Sequence, residues 1–478
     1  MKVFVSGNFN IVHPGHIRLL KYAKKLGSKL IVGVNSDSVL TENIFINEDL
    51  RIKNIKDLSF VNEVFLVKNL KTTLFKIRPD IIVKGKEFRS VKNHEEKYLK
   101  KLKAKLIFGS GAINYSTSEL FKREIRIKPL ALNLPKDFIH RHKIKKDKII
   151  KYIESFNNLR ICVIGDIIVD EYINSNLLGS SNEEPCLVIN PYESKKFLGG
   201  AGIVACHSSK LGAETKLLSI IGPDKNGKLA VNQLKKNDVN HHLNQDISRP
   251  TTLKKRFKVD NKSIIKVSYL NQDPISKIDQ NFIFEKLNKN IKKIDLIILS
   301  DFNYGCLPQN LVEKIIKIAK KNKIFVSADS QSSSQIGDIA RFKNIDLITP
   351  TEKEARIGVK NNTDGLVVLI NKLQKITKTK NIILTLAADG ILIQKKIKKI
   401  KNFIHTDKIP AINKNPKDVS GAGDALLVMS SLMLASGSSI WEASFAGSLF
   451  AALQANSIGN TPINKKTFLE LIRLSMDH

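Results

Sequence analysis

Asp418-Val419-Ser420-Gly421-Ala422-Gly423-Asp424 is the stretch on which the reading of this chain turns. Its run of small residues lets backbone amides converge on an anion, and the last carboxylate stands where a helical pattern begins, over residues 424–434. An acid in that place can accept the proton of a substrate hydroxyl while the amides hold a phosphoryl group. The stretch is not a P-loop, which would end in Gly-Lys-Ser/Thr. A plain helix cap would also tolerate these residues, so their meaning depends on what surrounds them.

Upstream, short apolar runs at 161–164, 217–221, 296–300, 324–328, 347–349 and 382–386 alternate with helical patterns such as 311–321. That alternation predicts a parallel sheet with helices on both faces, in a domain spanning residues 159–478. Two stretches break the rhythm, 171–196 and 251–269, and read as extended lid material at the sheet edge. The run Thr252-Leu253-Lys254-Lys255-Arg256-Phe257-Lys258-Val259 is strand-like and strongly basic. A lid with an apolar outer face calls for a partner, which predicts a homodimer formed through it.

A second doubly wound α/β domain is expected over residues 1–126. Its strands are predicted at 2–6, 30–34, 64–67, 81–84 and 105–108, with helices at 17–26 and 95–102. Residues 127–158, rich in lysine, read as a basic linker and leading helix. His140 and His142 lie there without acid or thiol neighbours in sequence, so a metal role is not predicted.

The first domain carries its own anion signal, His13-Pro14-Gly15-His16, at a loop-to-helix transition. Pro14 restricts the entry, Gly15 permits close approach, and the three-residue spacing puts both imidazoles near one face of the first turn. Paired imidazoles over helix-terminal amides suit the charge that builds on an α-phosphate as pyrophosphate leaves.

Composition narrows the classes. The 478-residue chain carries 79 Lys and Arg against 45 Asp and Glu, a formal charge of +34. The lysines spread through amphipathic segments, aromatics do not punctuate the basic runs, and zinc-finger spacing is absent. A solvated basic surface that helps gather anionic substrates is the reading, and specific nucleic-acid binding is not expected. Cys162, Cys186, Cys206 and Cys306 are widely separated free thiols, suited to a reducing cytoplasm. Apolar runs are strand-sized, so no membrane span is expected, and Met1-Lys2 leads into a strand pattern instead of a secretory signal.

Taken with its neighbours, the first motif resembles the HxGH nucleotidyltransferase superfamily, from Val3 to about Arg123. Gly7-Asn8-Phe9 matches the entry loop, and Asn35-Ser36-Asp37 follows the second core strand. Arg51 stands at the family's active-site arginine, Lys84-Gly85 at the acceptor-phosphate segment, and Tyr115-Ser116-Thr117-Ser118 at the triphosphate cap. The resemblance implies a Rossmann-type fold in which His13, His16, Arg51, Ser116 and Thr117 contact triphosphate and Lys84 and Gly85 meet the acceptor. The nucleotide is ATP, with CTP open. Members often carry basic residues between the second strand and the arginine helix, whereas 38–50 here has neither Lys nor Arg.

The second domain resembles ribokinase-type carbohydrate kinases from about Arg160 onward. The resemblance implies Asp424 as catalytic base and Gly421, Ala422 and Gly423 as the phosphate cradle. It places Asp166, Asp170, Gly199, Gly200 and Asp301 around the sugar and Asp389-Gly390 beside the nucleotide. Glu354 takes an indirect part in holding Mg2+. Departures from the family pattern are Ile203 for a sugar-binding asparagine, Ser330-Gln331 for Pro-Lys, Thr351 for asparagine and Ala387 for glycine.

The pairing resembles the bifunctional ADP-heptose synthesis proteins, with the domain order reversed. It implies phosphorylation of D-glycero-D-manno-heptose 7-phosphate to the 1,7-bisphosphate and conversion of heptose 1-phosphate to ADP-heptose. A CTP-dependent transferase fused to a different sugar kinase, and a non-catalytic basic scaffold, stay open.

Overall fold

Val3, Phe4 and Val5 are buried together with Ile31, Val32 and Val34, as alternating-face burial on both sides of a parallel sheet requires. The computed structural model describes residues 1–9, 12, 14–39, 46–85, 93–109, 132–260, 262–332, 337–396 and 405–476. The chain divides into two units, Met1–Pro129 and Leu130–His478.

In the first unit, five parallel strands are β1 (Lys2–Gly7), β2 (Lys29–Asn35), β3 (Glu63–Val67), β4 (Ile81–Gly85) and β5 (Lys105–Gly109), in the order β3-β2-β1-β4-β5. Strand order reverses between β1 and β4, so the crevice beyond their carboxyl ends is the switch point where such sheets bind ligands. Helix Pro14–Lys25 begins just after β1, and its apolar side packs through Leu20 and Ala23.

The second unit is built from β6 (Arg160–Gly165), β7 (Ile167–Ser180), β8 (Leu187–Gly200), β9 (Glu214–Ile221), β10 (Asn240–Gln245), β11 (Thr252–Val259) and β12 (Lys262–Tyr269). It continues with β13 (Leu296–Asp301), β14 (Phe325–Ser330), β15 (Leu347–Ile348), β16 (Asn381–Thr385), β17 (Ile391–Lys395) and β18 (Thr406–Ile409). Nine strands form one sheet in the order β10-β9-β6-β13-β14-β15-β16-β17-β18. It is parallel from β10 to β16, and the β16–β17–β18 edge is antiparallel, a departure from the all-parallel sheet expected from the helix–strand alternation. The reason is local at the first of these pairs: a tight turn through Ala387–Asp389, not a helix, joins β16 to β17, and a short connection pairs strands only antiparallel.

Helix Gln309–Lys321 shows why so basic a chain folds. Leu311, Val312, Ile315, Ile316 and Ala319 are buried, while Lys314, Lys317 and Lys320 are exposed. Burial of each leucine, valine or isoleucine contributes about 1.5–3 kcal/mol, and the lysines keep their charge in water. Helices Ala422–Ala435 and Ile440–Gln454 are instead buried almost all round, which suits elements packed on several sides.

The 171–196 and 251–269 stretches pair into a separate four-stranded sheet, β12-β11-β7-β8. β11 runs parallel to β7 and antiparallel to β12. Residues 132–158, expected as a basic linker with a leading helix, pack as part of the second unit. Phe138, Ile149, Ile153 and Phe156 are buried, Arg141 pairs with Asp407 at 3.0 Å, and His142 stacks on Trp441 at 4.2 Å. No described helix is long and apolar enough to cross a membrane.

Candidate functional site

The glycine turn of the second unit forms as its composition requires. Gly421 has φ +76°, and a Cβ there would stand 2.3 Å from Asn460 Oδ1. Glycine at this N-cap position leaves no side chain to cap the first turn of helix Ala422–Ala435, where the Ala422 amide donates to the Val419 carbonyl at 3.3 Å. Asp424 lies in that first turn, buried, with Oδ1 lacking any hydrogen-bond partner. Burial, reinforced by the charge of Asp170, pushes its carboxyl up to about 7, and Lys254 opposes the shift. A carboxylate that titrates near neutrality suits general base work.

Of the acids expected around the sugar, the structure separates two kinds. Asp170, on β7, faces this turn: Arg256 Nη2 donates to its Oδ1 at 3.2 Å and Asn460 Nδ2 to its Oδ2 at 3.2 Å. Gly199, at the end of β8, packs so closely that a Cβ would sit 2.5 Å from Asp170 Oδ2, and Gly200 leads into helix Ala201–Lys210. Asp166 is committed elsewhere. Its oxygens accept from the Phe302, Tyr304 and Cys306 amides at 2.8, 3.4 and 3.1 Å, which organises the loop after β13. Burial and the neighbouring Asp301 push it up to about 6. Asp301 is paired with Arg341 at 2.6 Å and accepts from Ser330 Oγ at 2.9 Å. As folded, Asp301 is held by Arg341 and Ser330, while Asp166 organises the loop after β13 and lines a cavity with Thr252 and Tyr304.

Two family departures acquire a physical account. Ser330 donates to Asp301 and accepts from Asn303, so the hydroxyl that replaces proline joins the fold's own hydrogen bonds. Thr351 closes a capping box with Glu354 on helix Glu352–Val359. Glu354 is consequently engaged by main chain on both oxygens, with Thr351 N at 2.8 Å and Ser332 N at 2.9 Å. Asp329, at the end of β14, is pushed well above the carboxylate range by burial, by Glu354 and by Asp424. Its Oδ1 has no partner. Ile203, in place of asparagine, is fully buried on helix Ala201–Lys210.

Asp389 is exposed in the turn between β16 and β17, followed by Gly390. In the same turn Ala387 has φ +50°, a left-handed conformation that costs a residue with a Cβ about 1 kcal/mol. That explains why glycine is customary there. Ala387→Gly is expected to raise stability by about 0.5–1 kcal/mol, since relief of strain outweighs the added unfolded-state entropy. A denaturant midpoint equal to or below that of the parent would refute this.

In the first unit, Gly7 ends β1, and Phe9, buried with φ +46°, packs against His16 with ring centroids 5.0 Å apart and the rings tilted by 57°. Asn8 Oδ1 accepts from Asn35 Nδ2 at 2.7 Å, tying the entry loop to β2. Lys84, on β4, pairs with the buried Glu95 at 2.8 Å, and Gly85 ends that strand. Arg51, expected on triphosphate, is spent internally. It is fully buried, donates to the Ile46, Asn8 and Asn35 carbonyls at 2.9, 2.6 and 2.9 Å, and ion-pairs with Asp37. In this arrangement it braces the entry loop and presents no free cation. His13, Ser116 and Thr117 lie outside the described residues.

Sequence reasoning missed Asn460, Arg256 and Lys254 as site residues. Asn460 comes long after the glycine turn and belongs to no motif. Lys254 and Arg256 alternate on one face of β11, a period-two signal available in the sequence had the strand's partner been known. Lys254 Nζ stands 5.2 and 5.0 Å from the Phe302 and Tyr304 ring centroids.

Comparison with known proteins follows this geometry. A cytidylyltransferase-like family profile matches residues 4–174, and a pfkB family carbohydrate kinase profile matches residues 158–466. The chain is similar to the bifunctional protein HldE of Sulfurimonas denitrificans, 30% identical over 318 residues, which cover 66% of this chain and 64% of that protein. It is also similar to HldE of Helicobacter acinonychis, 30% identical over 305 residues, covering 63% and 64%. Each match thus spans less than two thirds of these relatives' length. Among solved structures, Arabidopsis thaliana ribokinase complexed with ribose and ATP shares the fold, with TM-score 0.51 and 19% identity over 66% of this chain and 99% of that one. Escherichia coli phosphofructokinase-2 in complex with fructose-6-phosphate gives 0.53 and 16%, over 66% and 98%. With its glycine turn, buried carboxylate and nine-stranded sheet inside a match that spans more than half its length, the chain belongs to the pfkB family of carbohydrate kinases.

Proposed function

We propose that this protein is a bifunctional sugar-phosphate kinase and nucleotidyltransferase. Its kinase unit phosphorylates D-glycero-D-manno-heptose 7-phosphate to the 1,7-bisphosphate with ATP. Its first unit joins heptose 1-phosphate to a nucleotide, giving ADP-heptose. One observation carries the kinase half: a buried Asp424, pushed up to about 7, in the first turn of a helix capped by Gly421. Asp424 takes the proton from the acceptor hydroxyl, while the amides of Gly421, Ala422 and Gly423 hold the transferring phosphoryl group. Asp170, packed against Gly199 and near enough for its charge to act on Asp424, is the favoured sugar contact.

The unpartnered oxygens of Asp329 and Asp424 would suit a divalent cation, and Glu354, whose oxygens accept from the Thr351 and Ser332 amides, would take only an indirect part. Among the described residues no trio of His, Cys, Asp or Glu makes a metal cage. That donor set suits Mg2+ held chiefly by nucleotide phosphates and waters, where it neutralises phosphate charge. In the first unit the nucleotide lies at the β1–β4 switch point. His13, His16, Ser116 and Thr117 meet its phosphates, Arg51 holds Gly7, Asn8 and Phe9 in place, and Lys84 and Gly85 meet the acceptor.

The similarity to HldE proteins supports the heptose substrates, and the cytidylyltransferase-like match keeps CTP as the competing nucleotide. A cytoplasmic homodimer completes the reading. Exposed Ile265, Val267 and Tyr269 share one face of β12, the edge strand of the four-stranded sheet, and give it an apolar row that a second copy covers. Light scattering at micromolar concentration is expected to return twice the chain mass.

The functional test is product identification by mass spectrometry with a phosphosugar panel, supplying ATP and CTP in parallel. The expected result is heptose 1,7-bisphosphate in the kinase assay and ADP-heptose with pyrophosphate in the transferase assay. His16→Ala is expected to abolish only the second product. No turnover of any heptose phosphate would sink the substrate assignment, and a CTP-only transferase would replace the nucleotide.

A further inference from the structure

Arg256 reaches from the four-stranded sheet to the glycine turn. Its Nη1 donates to Ser420 Oγ at 2.7 Å and its Nη2 to Asp170 Oδ1 at 3.2 Å. The guanidinium lies 5.3 Å from the ring centroid of Tyr172, its register partner on β7. The circuit closes through neighbours. Ser420 N donates to Asp418 Oδ1 at 3.0 Å, Gly459 N to Asp418 Oδ2 at 3.1 Å, and Asn460 Nδ2 to Asp170 Oδ2 at 3.2 Å. Asn460 is also the residue against which Gly421 is packed. One planar cation therefore bridges the segment that carries the phosphate cradle and the carboxylate on the sugar side. A guanidinium fork holds two acceptors at a set angle, which the point charge of lysine does not.

We propose that Arg256 is a positioning residue for phosphoryl transfer. By gripping Ser420 and Asp170 together, it sets the spacing between the anion cradle and the acceptor sugar, on which in-line attack depends. The inference rests on the kinase reading above, and deepens it by naming what aligns the two halves of that site.

The test uses the full chain with Arg256→Met and Arg256→Lys and two independent readouts. The first needs no substrate: hydrogen–deuterium exchange of amides 418–424. Both variants are expected to exchange about tenfold faster there, because neither side chain spans both partners, while β6 and β13 amides stay unchanged. The second is steady-state kinetics with MgATP and heptose 7-phosphate. A kcat lower by about 30-fold is expected in both variants. The acceptor KM is expected to rise only in Arg256→Met, because lysine still pairs with Asp170.

Unaltered exchange at 418–424 would overturn the proposal. So would wild-type kcat in Arg256→Lys, or a loss of protection spread evenly over the second unit. If the parent protein turns over no heptose phosphate, the substrate reading fails, and the exchange measurement still decides the tie.

Discussion

Asp424→Asn is expected to lower the kinase kcat by about 1,000-fold while leaving the protein as stable as its parent, or more so at neutral pH. The loss follows from chemistry: an amide cannot accept the hydroxyl proton, though it keeps the shape of the turn. The stability effect follows from burial. In the unfolded chain Asp424 ionises near 3.8, whereas burial and Asp170 push it up to about 7 in the fold. Between those values the folded state binds more protons than the unfolded state. The proton-linked stability is therefore complete below about pH 4 and is lost as pH rises through about 7. The loss is on the order of 4 kcal/mol, and the asparagine variant escapes it. Urea melts at pH 8 and pH 4 are expected to show the variant's advantage at the higher pH only. The same titration predicts that the parent's kcat rises toward a plateau above about pH 7. Retained turnover in the variant, or a flat pH profile in the parent between about pH 5 and pH 8, would remove Asp424 from the role of base.

Arg51→Met is expected to cost the first unit about 3 kcal/mol, a drop of about 10 °C in its melting transition for a domain of this size. Arginine stays charged at any working pH, so a fully buried guanidinium survives only because every face of it is answered. Here the answers are Asp37 and the carbonyls of Asn8, Asn35 and Ile46. Methionine fills the volume but leaves three carbonyls without donors and Asp37 without its cation. Since one of those carbonyls belongs to the entry loop, nucleotidyl transfer is expected to fall with stability. Arg51→Lys should recover little, because a single ammonium cannot reach three segments. A melting temperature within about 2 °C of the parent in Arg51→Met would show that the buried cation is not what holds the loop.

These two residues mark where sequence reading and tertiary structure part. Asp424 announced itself, because a local rule governs it: small residues ahead of a helix expose amides, and the acid that follows is carried into the first turn. Arg51 was legible as an important arginine, yet its internal partners Asn8, Asn35, Asp37 and Ile46 were not. Asp166 and Asp301 show the same limit. Their position beyond strand ends was readable, but their orientation toward backbone amides and Arg341 was not. Thr351 and Ala387 run the other way, since each departs from a family pattern and each has a local backbone account, one a capping box and the other a left-handed turn.

By itself the sequence determined two α/β domains, the parallel runs of strand and helix, and the glycine turn ahead of helix Ala422–Ala435. All of these follow from residues within a few positions of one another, where hydrophobic period, glycine and helix capping act. Only the tertiary structure decided the antiparallel β16–β18 edge, the packing of residues 132–158 onto the second unit, and the meeting of Arg256, Asn460 and Asp170 around the glycine turn. Those depend on which strand lies beside which, and that choice belongs to the packing of the whole core, where no short stretch of sequence carries it.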